Sequence, residues 1–249
     1  MNEYIESIYR SRKVIGQGGA EHPLHSEIDR EEGRFLHQVI AGDPSVTNTL
    51  EVGCAFGLSS LHICDALRSR PNPRHTIIDP FQYTDWDGVG IRNLQESGIQ
   101  FFDLIQKRSE FALPELLAAG ERWFDFIFVD GWHTFDHTLL DCFYATRLLR
   151  VGGYLVIDDA NMPPVRRAAE YFSTYPCYHE HASLTSPMAR SWKRRAVQAL
   201  LGCVPVEKRN AWLHPSLRHR VFSEQHKQMI ALKKIGVDER DWKWFPDQF

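Results

Sequence analysis

The sequence has no run of about 18 apolar residues, the length that a helix needs to span a bilayer. Its first 22 residues are polar and lack the apolar core of a signal peptide. Cysteine is sparse: the five cysteines are scattered and form no C-x-x-C pair, which argues against a disulfide framework or a zinc site. We therefore expect a cytoplasmic protein with no membrane partner, whose cysteines are small buried side chains in a reduced compartment.

Two sequence patterns of nucleotide-related enzymes are also missing. The chain has no G-x-G-x-x-G, the turn that places a dinucleotide pyrophosphate at a helix N-terminus, which argues against an NAD-type oxidoreductase. It has no N-P-P-Y-type motif, as methylation of a nucleic-acid base often needs. We therefore expect no nucleic-acid partner.

Charge is unevenly distributed along the chain. Residues 1–186 carry 16 Lys+Arg against 26 Asp+Glu, and residues 187–249 carry 13 against 6, so the net charges are −10 and +7. A basic segment of this kind indicates either an anionic partner or a solvated face that neutralises the acidic part of the same molecule.

The remaining sequence alternates short apolar runs with helical patterns. The predicted strands are 47–54, 75–80, 101–109, 124–130 and 154–159. Strands that alternate with helices of about 10–15 residues indicate a parallel sheet with helices on both faces. The 249 residues, 43% of them hydrophobic, fit one α/β domain with a full core and an appendage. We predict a Rossmann-like, doubly wound α/β fold.

Three segments make up the predicted domain organisation. Residues 1–27 are an N-terminal lid or an irregular, partly helical segment. Residues 28–194 are the α/β domain, and 195–249 are a helical appendage that serves as a lid or a dimer element.

The pattern weakens after residue 176. Residues 177–184 and 188–194 are predicted as an antiparallel strand pair at the sheet edge, and 222–236 as an amphipathic helix. The region holds four tryptophans, which are either packing anchors or substrate-stacking side chains: Trp192, Trp212, Trp242 and Trp244.

Polar side chains lie at or just beyond the ends of the predicted strands. They are Glu51, Asp79, Ser109, Asp130, Asp158 and Asp159. In parallel sheets, ligands bind beyond the carboxyl ends of the strands. We therefore expect these side chains to converge on one site.

The turn after the first strand has the pattern E-x-G-x-x-x-G, with Glu51, Gly53 and Gly57. Glycines there allow a tight turn and a close approach of the backbone to a ligand. Asp79, at the end of the next strand, is placed to accept both hydroxyls of a ribose. Two carboxylates favour a cationic nucleoside without phosphate, and S-adenosylmethionine (SAM) fits that description.

Other roles remain open for these residues. Glu51 and Gly53 also fit an ordinary strand-turn-helix connection. Ser109 either contacts the adenine edge or caps the helix that follows it.

Five segments resemble one enzyme family: TLEVGCAFGLSS, IIDP, KRSEFALPEL, FDFIFVDGWHTFDHTLLD and LLRVGGYLVIDDA. They resemble class I SAM-dependent methyltransferases over residues 28–176. The resemblance is closest to the metal-dependent macrocin- and mycinamicin-type sugar O-methyltransferases, and more distant to catechol- and caffeoyl-CoA-type enzymes.

The resemblance implies a seven-stranded sheet and a divalent cation, usually Mg²⁺, held by three side chains. The matching positions are Asp130, Asp158 and Asp159, and Asp130 also borders the cofactor site. The last position is usually Asn in catechol-type relatives and is Asp159 here, as in the sugar-type branch. The D-x-x-H pattern of the sugar enzymes implies that His133 is the general base. A metal-bound hydroxyl has a lowered pKa, and a neutral imidazole can remove its proton.

Alternatives for these residues remain open too. Asp130 also fits a helix N-cap, and Asp158 and Asp159 also fit loop carboxylates without a metal. His133 is otherwise a third metal ligand or a surface residue. His137, four residues further on, fits a helix face better than a ligand position.

These observations predict a SAM-dependent O-methyltransferase that acts on a small polyhydroxylated molecule. The alternatives are a metal-independent methyltransferase of the same class and a non-catalytic protein with a degenerate site. The Trp-rich tail offers a surface for a homodimer contact. The acceptor itself is not readable, because residues 1–27, 81–92 and 177–249 carry no recognisable motif.

Overall fold

The computed structural model describes residues 2–25, 27–120, 123–187, 192–212 and 225–246. Eighteen helices and strands occur in these ranges. They are α1 (Glu3–Ser11), β1 (Lys13–Ile15), β2 (Glu21–Pro23), α2 (Arg30–Ala41), β3 (Asn48–Val52), α3 (Leu58–Leu67), β4 (Arg74–Ile78), α4 (Val89–Glu96), β5 (Phe102–Ile105), α5 (Ser109–Ala119), β6 (Phe124–Val129), α6 (Phe135–Leu148), β7 (Leu149–Ile157), α7 (Pro163–Ser173), β8 (Tyr178–Pro187), α8 (Trp192–Gly202), α9 (Val206–Trp212) and β9 (Gln225–Lys234).

The main sheet has seven strands in the described part of the chain, in the order β5-β4-β3-β6-β7-β9-β8. The pairs from β5 to β7 are parallel, and β9 is antiparallel to both β7 and β8. After β3, the chain adds β4 and then β5 on one side of β3. The next strand, β6, then pairs with the other side of β3. This reversal is a topological switch point, where the crevice at the strand ends can hold a ligand. The predicted Rossmann-like α/β fold is therefore confirmed.

Burial explains why the central strands form where they do. All six residues of β6 are buried, as expected for a strand covered by helices on both faces. Two apolar clusters lie on the two sides of the sheet: Phe126 and Phe128 belong to one, and Ile127 and Val129 to the other. Alternate residues of one strand therefore anchor both layers of helices.

The prediction of an amphipathic helix over 222–236 is wrong, because residues 225–234 form β9. The four residues 229–232 are all buried and lie between β7 and β8, with Ile157 opposite Ile230 and Leu155 opposite Leu232. From the sequence alone, a short apolar run with polar ends fits a helix face and a buried strand equally well. Here the run forms a strand because it pairs with the edge of β7 that β6 leaves open. Thus β9 lies within the sheet of the domain that was predicted to end at residue 194.

The predicted strand over 177–184 is confirmed as β8, but its partner is β9 rather than residues 188–194. Residues 192–194 begin α8, and 188–191 lie outside the described residues. Trp244 packs against Tyr175, with ring centroids 5.5 Å apart, as expected of a packing anchor.

Two further differences concern the N-terminal segment and β5. The N-terminal segment, predicted as irregular or partly helical, forms α1 and also the β1–β2 hairpin, which was not predicted. The strand predicted over 101–109 ends at Ile105, and Ser109 begins α5. Within the described ranges, no helix is long and apolar enough to cross a membrane.

Candidate active site

A cavity of about 600 Å³ opens beyond the carboxyl ends of β3, β4, β6 and β7. It lies at the switch point of the sheet, where the fold predicts a ligand. Seven of the sequence-predicted site residues line it: Gly53, Asp79, Ser109, Asp130, His133, Asp158 and Asp159. The predicted residues Glu51 and Gly57 do not line it.

Glycines make the turn after β3 possible. Gly53 has φ +88°, and a Cβ atom there would lie 2.0 Å from the carbonyl oxygen of Asp130. Gly57 has φ +78°, and its Cβ would meet Gly90 Cα at 2.9 Å. Gly53 therefore lets the turns after β3 and β6 come into contact, and Gly57 lets α3 pack on α4.

Asp79 holds the same turn from the end of β4. Its Oδ2 accepts hydrogen bonds from the backbone N–H groups of Cys54 (3.1 Å) and Ala55 (3.0 Å) and from Gln82 Nε2 (2.9 Å). Its Oδ1 accepts only from the Phe81 N–H, at 2.8 Å, among the described residues. An ionised carboxylate has about four acceptor positions, so Oδ1 keeps one for a ligand hydroxyl.

Glu51 lies below the cavity rather than on its wall. Its side chain is fully buried, and Oε2 accepts hydrogen bonds from Ser60 Oγ and from His75 Nε2, the latter at 3.1 Å. Its Oε1 has no hydrogen-bond partner among the described residues. The structure thus assigns Glu51 to the support of the turn, and a contact between its carboxylate and the ligand remains a prediction.

Ser109 reaches the cavity from the first turn of α5, beside a buried acid. Asp141 of α6 is 1% exposed, and neither carboxylate oxygen has a hydrogen-bond partner in the described part of the chain. Burial raises the pKa of Asp141 to about 6, and the adjacent Ser109 side chain reduces this rise.

An acidic centre, consisting of Asp130, His133, Asp158 and Asp159, forms where β6 and β7 end. His133 Nε2 lies 3.0 Å from Asp130 Oδ1 and 3.4 Å from Asp159 Oδ2. Asp158 is 4% exposed, and its Oδ1 accepts a hydrogen bond from the Asp159 N–H at 2.7 Å. Asp159 has φ +51°, a left-handed backbone conformation that is uncommon outside glycine.

The acids of this centre are hard to ionise together. Burial raises the pKa of Asp130 and of Asp158, and each also feels the negative charge of Asp159. The hydrogen bond to Asp130 raises the pKa of His133. A positive charge beside these carboxylates is therefore favoured.

Residues 50–160 match a protein-family model described as a methyltransferase domain. This part of the chain is therefore similar to methyltransferase domains. The predicted class of enzyme, a SAM-dependent methyltransferase, is thereby confirmed. No curated protein sequence matches the chain at a significant level.

Solved methyltransferases share the fold over most of this methyltransferase's length. An O-methyltransferase from Bacillus cereus, in complex with S-adenosylhomocysteine, is 15% identical with a TM-score of 0.62, over 94% of this chain and 92% of its own. TomG from Streptomyces achromogenes, an O-methyltransferase involved in tomaymycin synthesis and solved with SAM, is 18% identical with a TM-score of 0.58, over 84% and 82%. The methyltransferase PaMTH1 from Podospora anserina is 14% identical with a TM-score of 0.56, over 93% and 86%.

The acidic centre of the methyltransferase has a donor set that fits a divalent cation. One ligand atom each from Asp130, His133 and Asp159 lie within 4.8 Å of one another. Carboxylate oxygens suit hard cations such as Mg²⁺, while the imidazole suits softer ions. In this arrangement His133 occupies the third position that Asp158 was predicted to fill. His137 bonds to Thr134 Oγ1 at 2.8 Å and is not in the cluster.

Two residues at the acidic centre of the methyltransferase were missed from the sequence. Glu32, in the first turn of α2, lines the cavity, and burial raises its pKa to about 7. Its capping box with Asp29 is readable from the sequence, but the position of α2 against the strand ends is not. Gln228 also lines the cavity, and the incorrect helix prediction over 222–236 concealed it.

Proposed function

We propose that the protein is a SAM-dependent O-methyltransferase that acts on a small hydroxylated molecule, such as a sugar or a natural product. One observation carries the proposal: an imidazole, His133, sits between two carboxylates on the wall of a cavity built on the methyltransferase fold. Such an arrangement suits removal of a proton from a hydroxyl.

The cofactor half of the cavity would be formed by the turn after β3 and by Asp79. The free acceptor position on Asp79 Oδ1 suits a ribose hydroxyl, and Ser109 suits the adenine edge. SAM brings a positive sulfonium, which the acidic wall of the cavity favours electrostatically.

The chemical half would be formed by the acidic centre. Asp130 and Asp159, with His133 or Asp158 as the third group, would hold a divalent cation such as Mg²⁺. When bound, that cation lowers the pKa of a coordinated hydroxyl. With Asp158 as that third group, the imidazole of His133 would take the hydroxyl proton as the oxygen attacks the methyl carbon, and the walls of the cavity would align the two reactants.

The experiment that tests this proposal follows S-adenosylhomocysteine release with a panel of hydroxylated acceptors in the presence of Mg²⁺. His133→Ala should lower kcat by about 100-fold or more, while SAM affinity changes little. The acid limb of the pH–rate profile should be absent in the His133→Ala variant. The matched control is His179→Ala, because His179 is an exposed histidine on β8. A variant at His133 with a normal pH–rate profile would contradict the proposed role.

A metal-independent methyltransferase is the second candidate. The 3.0 Å contact between His133 and Asp130 favours it, because an Asp–His pair can act as a base without an ion. Treatment with EDTA distinguishes the two candidates. Loss of activity that Mg²⁺ restores supports the cation, and full activity in EDTA supports the Asp–His pair alone.

A further inference from the structure

The side chain of Gln228 connects β9 to the acidic centre. Its Nε2 donates to Asp159 Oδ1 at 3.2 Å, and its Oε1 accepts from Asn161 Nδ2. Since an ionised carboxylate only accepts, the amide nitrogen must face Asp159, and its oxygen faces the Asn161 donor.

The backbone of Gln228 holds the same loop. Its carbonyl oxygen accepts a hydrogen bond from the Ala160 N–H at 2.9 Å, directly after Asp159. Asp159 is a non-glycine residue with φ +51°. This conformation costs energy and persists only where contacts with the surroundings outweigh that cost. Gln228 thus holds this loop through both its backbone and its side chain.

The electrostatics of the centre explain why an amide occupies this position. Glu32, Asp158 and Asp159 line the same cavity, so their carboxylates repel one another. A neutral amide can donate to a carboxylate without adding charge. An apolar residue would remove this donor from Asp159, and an acid would increase the repulsion.

We propose that Gln228 is a positioning residue that holds the Asp159 carboxylate toward Asp130 and His133. The proposal rests on the proposed function, because it concerns the same acidic centre. It adds that β9, a strand from the C-terminal part of the chain, completes this centre.

The test compares Gln228→Met and Gln228→Glu with the wild type. Met keeps the length of the side chain and removes both donors, whereas Glu also adds a charge. Lys227→Met is the matched control, because Lys227 is the neighbouring residue on β9 and pairs with Glu180 at the surface.

The first measurement is the binding of Mn²⁺ alone, followed by electron paramagnetic resonance. Gln228→Met should bind about 10- to 100-fold more weakly, the usual effect of losing a partner that orients a metal ligand. The fall should be smaller in Gln228→Glu, because the added charge attracts the cation. SAM affinity and the unfolding midpoint of Gln228→Met should stay close to wild type. Wild-type Mn²⁺ affinity in Gln228→Met would overturn the proposal.

A crystal structure of Gln228→Met provides a second measurement that needs no ion. The carboxylate of Asp159 should leave His133, or Asp159 should leave its left-handed conformation. If both are retained, Gln228 is not a positioning residue. A wild-type protein that binds no Mn²⁺ and methylates no acceptor would refute the proposed function instead, and this structure would still decide the role of Gln228.

Discussion

The carboxylate of Asp79 serves the fold and the candidate site together. Four hydrogen bonds from three backbone N–H groups and Gln82 fix it against the turn after β3, and it still lines the cavity. A side chain with this many donors is held in one orientation before any ligand arrives. Such preorganisation reduces the entropy lost on binding.

We expect Asp79→Asn to weaken SAM binding by at least about tenfold, because the amide replaces one acceptor atom with a donor and leaves a polar group poorly paired. Isothermal titration calorimetry measures the affinity. The control is Asp85→Asn, which alters an exposed carboxylate in the same connection. Unchanged SAM affinity in Asp79→Asn would rule out the ribose role.

Asp141 should make the protein less stable as the pH rises. Its pKa is raised to about 6 in the folded protein, so the unfolded chain releases this proton first. The fold is therefore penalised progressively from about pH 4 to pH 6, and fully above that.

We expect Asp141→Asn, which cannot ionise, to be more stable than wild type by on the order of 2 kcal/mol above pH 6. The difference should vanish near pH 4. Urea denaturation at several pH values measures it, with Asp103→Asn as an exposed control. A difference that does not change with pH would show that burial of the charge is not its cause.

The turn between β3 and α3 is the element on which the site depends most. Gly53 lies against the Asp130 carbonyl across the switch point, so it connects the turn after β3 to the acidic centre. Gly98 offers a comparison, because it also has a positive φ, +78°, but a Cβ atom there would have no neighbour within 4 Å among the described residues.

Gly98→Ala should cost only the left-handed conformation, about 1–2 kcal/mol. Gly53→Ala should cost clearly more and should abolish SAM binding, because a backbone oxygen occupies the space for the methyl group. Urea denaturation and calorimetry measure the two effects. Equal costs in both variants would mean that the contact with Asp130 is easily relieved.

On the scale of the whole molecule, β9 links the C-terminal part of the chain to the α/β domain. Leu232 is fully buried between β7 and β8, whereas Ile235 just beyond the strand is 58% exposed. Strands that share one sheet and one core should unfold together. The division at residues 194 and 195 is thus not expected to be a boundary in unfolding.

We expect Leu232→Ala to lower the free energy of unfolding by about 2–5 kcal/mol and to keep a single transition. Ile235→Ala should change it by less than about 0.5 kcal/mol. Circular dichroism and tryptophan fluorescence should report the same midpoint. Two separate transitions would instead support an independent C-terminal unit.

The sequence by itself determined the order of strands and helices from β3 to α7, the enzyme class, and the set of acids at the strand ends. It could do so because these features are local: a buried strand needs a continuous apolar run, and parallel strands bring their carboxyl ends to one edge. Asp79, Asp130, Asp158 and Asp159 follow from that rule, whereas His133 was predicted from the resemblance to sugar O-methyltransferases. All five line the cavity.

Only the tertiary structure decided which side chains complete the site and which support it from below. Gln228 is 69 residues from Asp159 along the chain, and no local pattern brings them together. Glu51 has the right spacing for the cofactor, but its depth below the turn and its pairing with His75 depend on how β3 and β4 align. Burial and partner are properties of the packed sheet, because they depend on residues that are distant in the sequence.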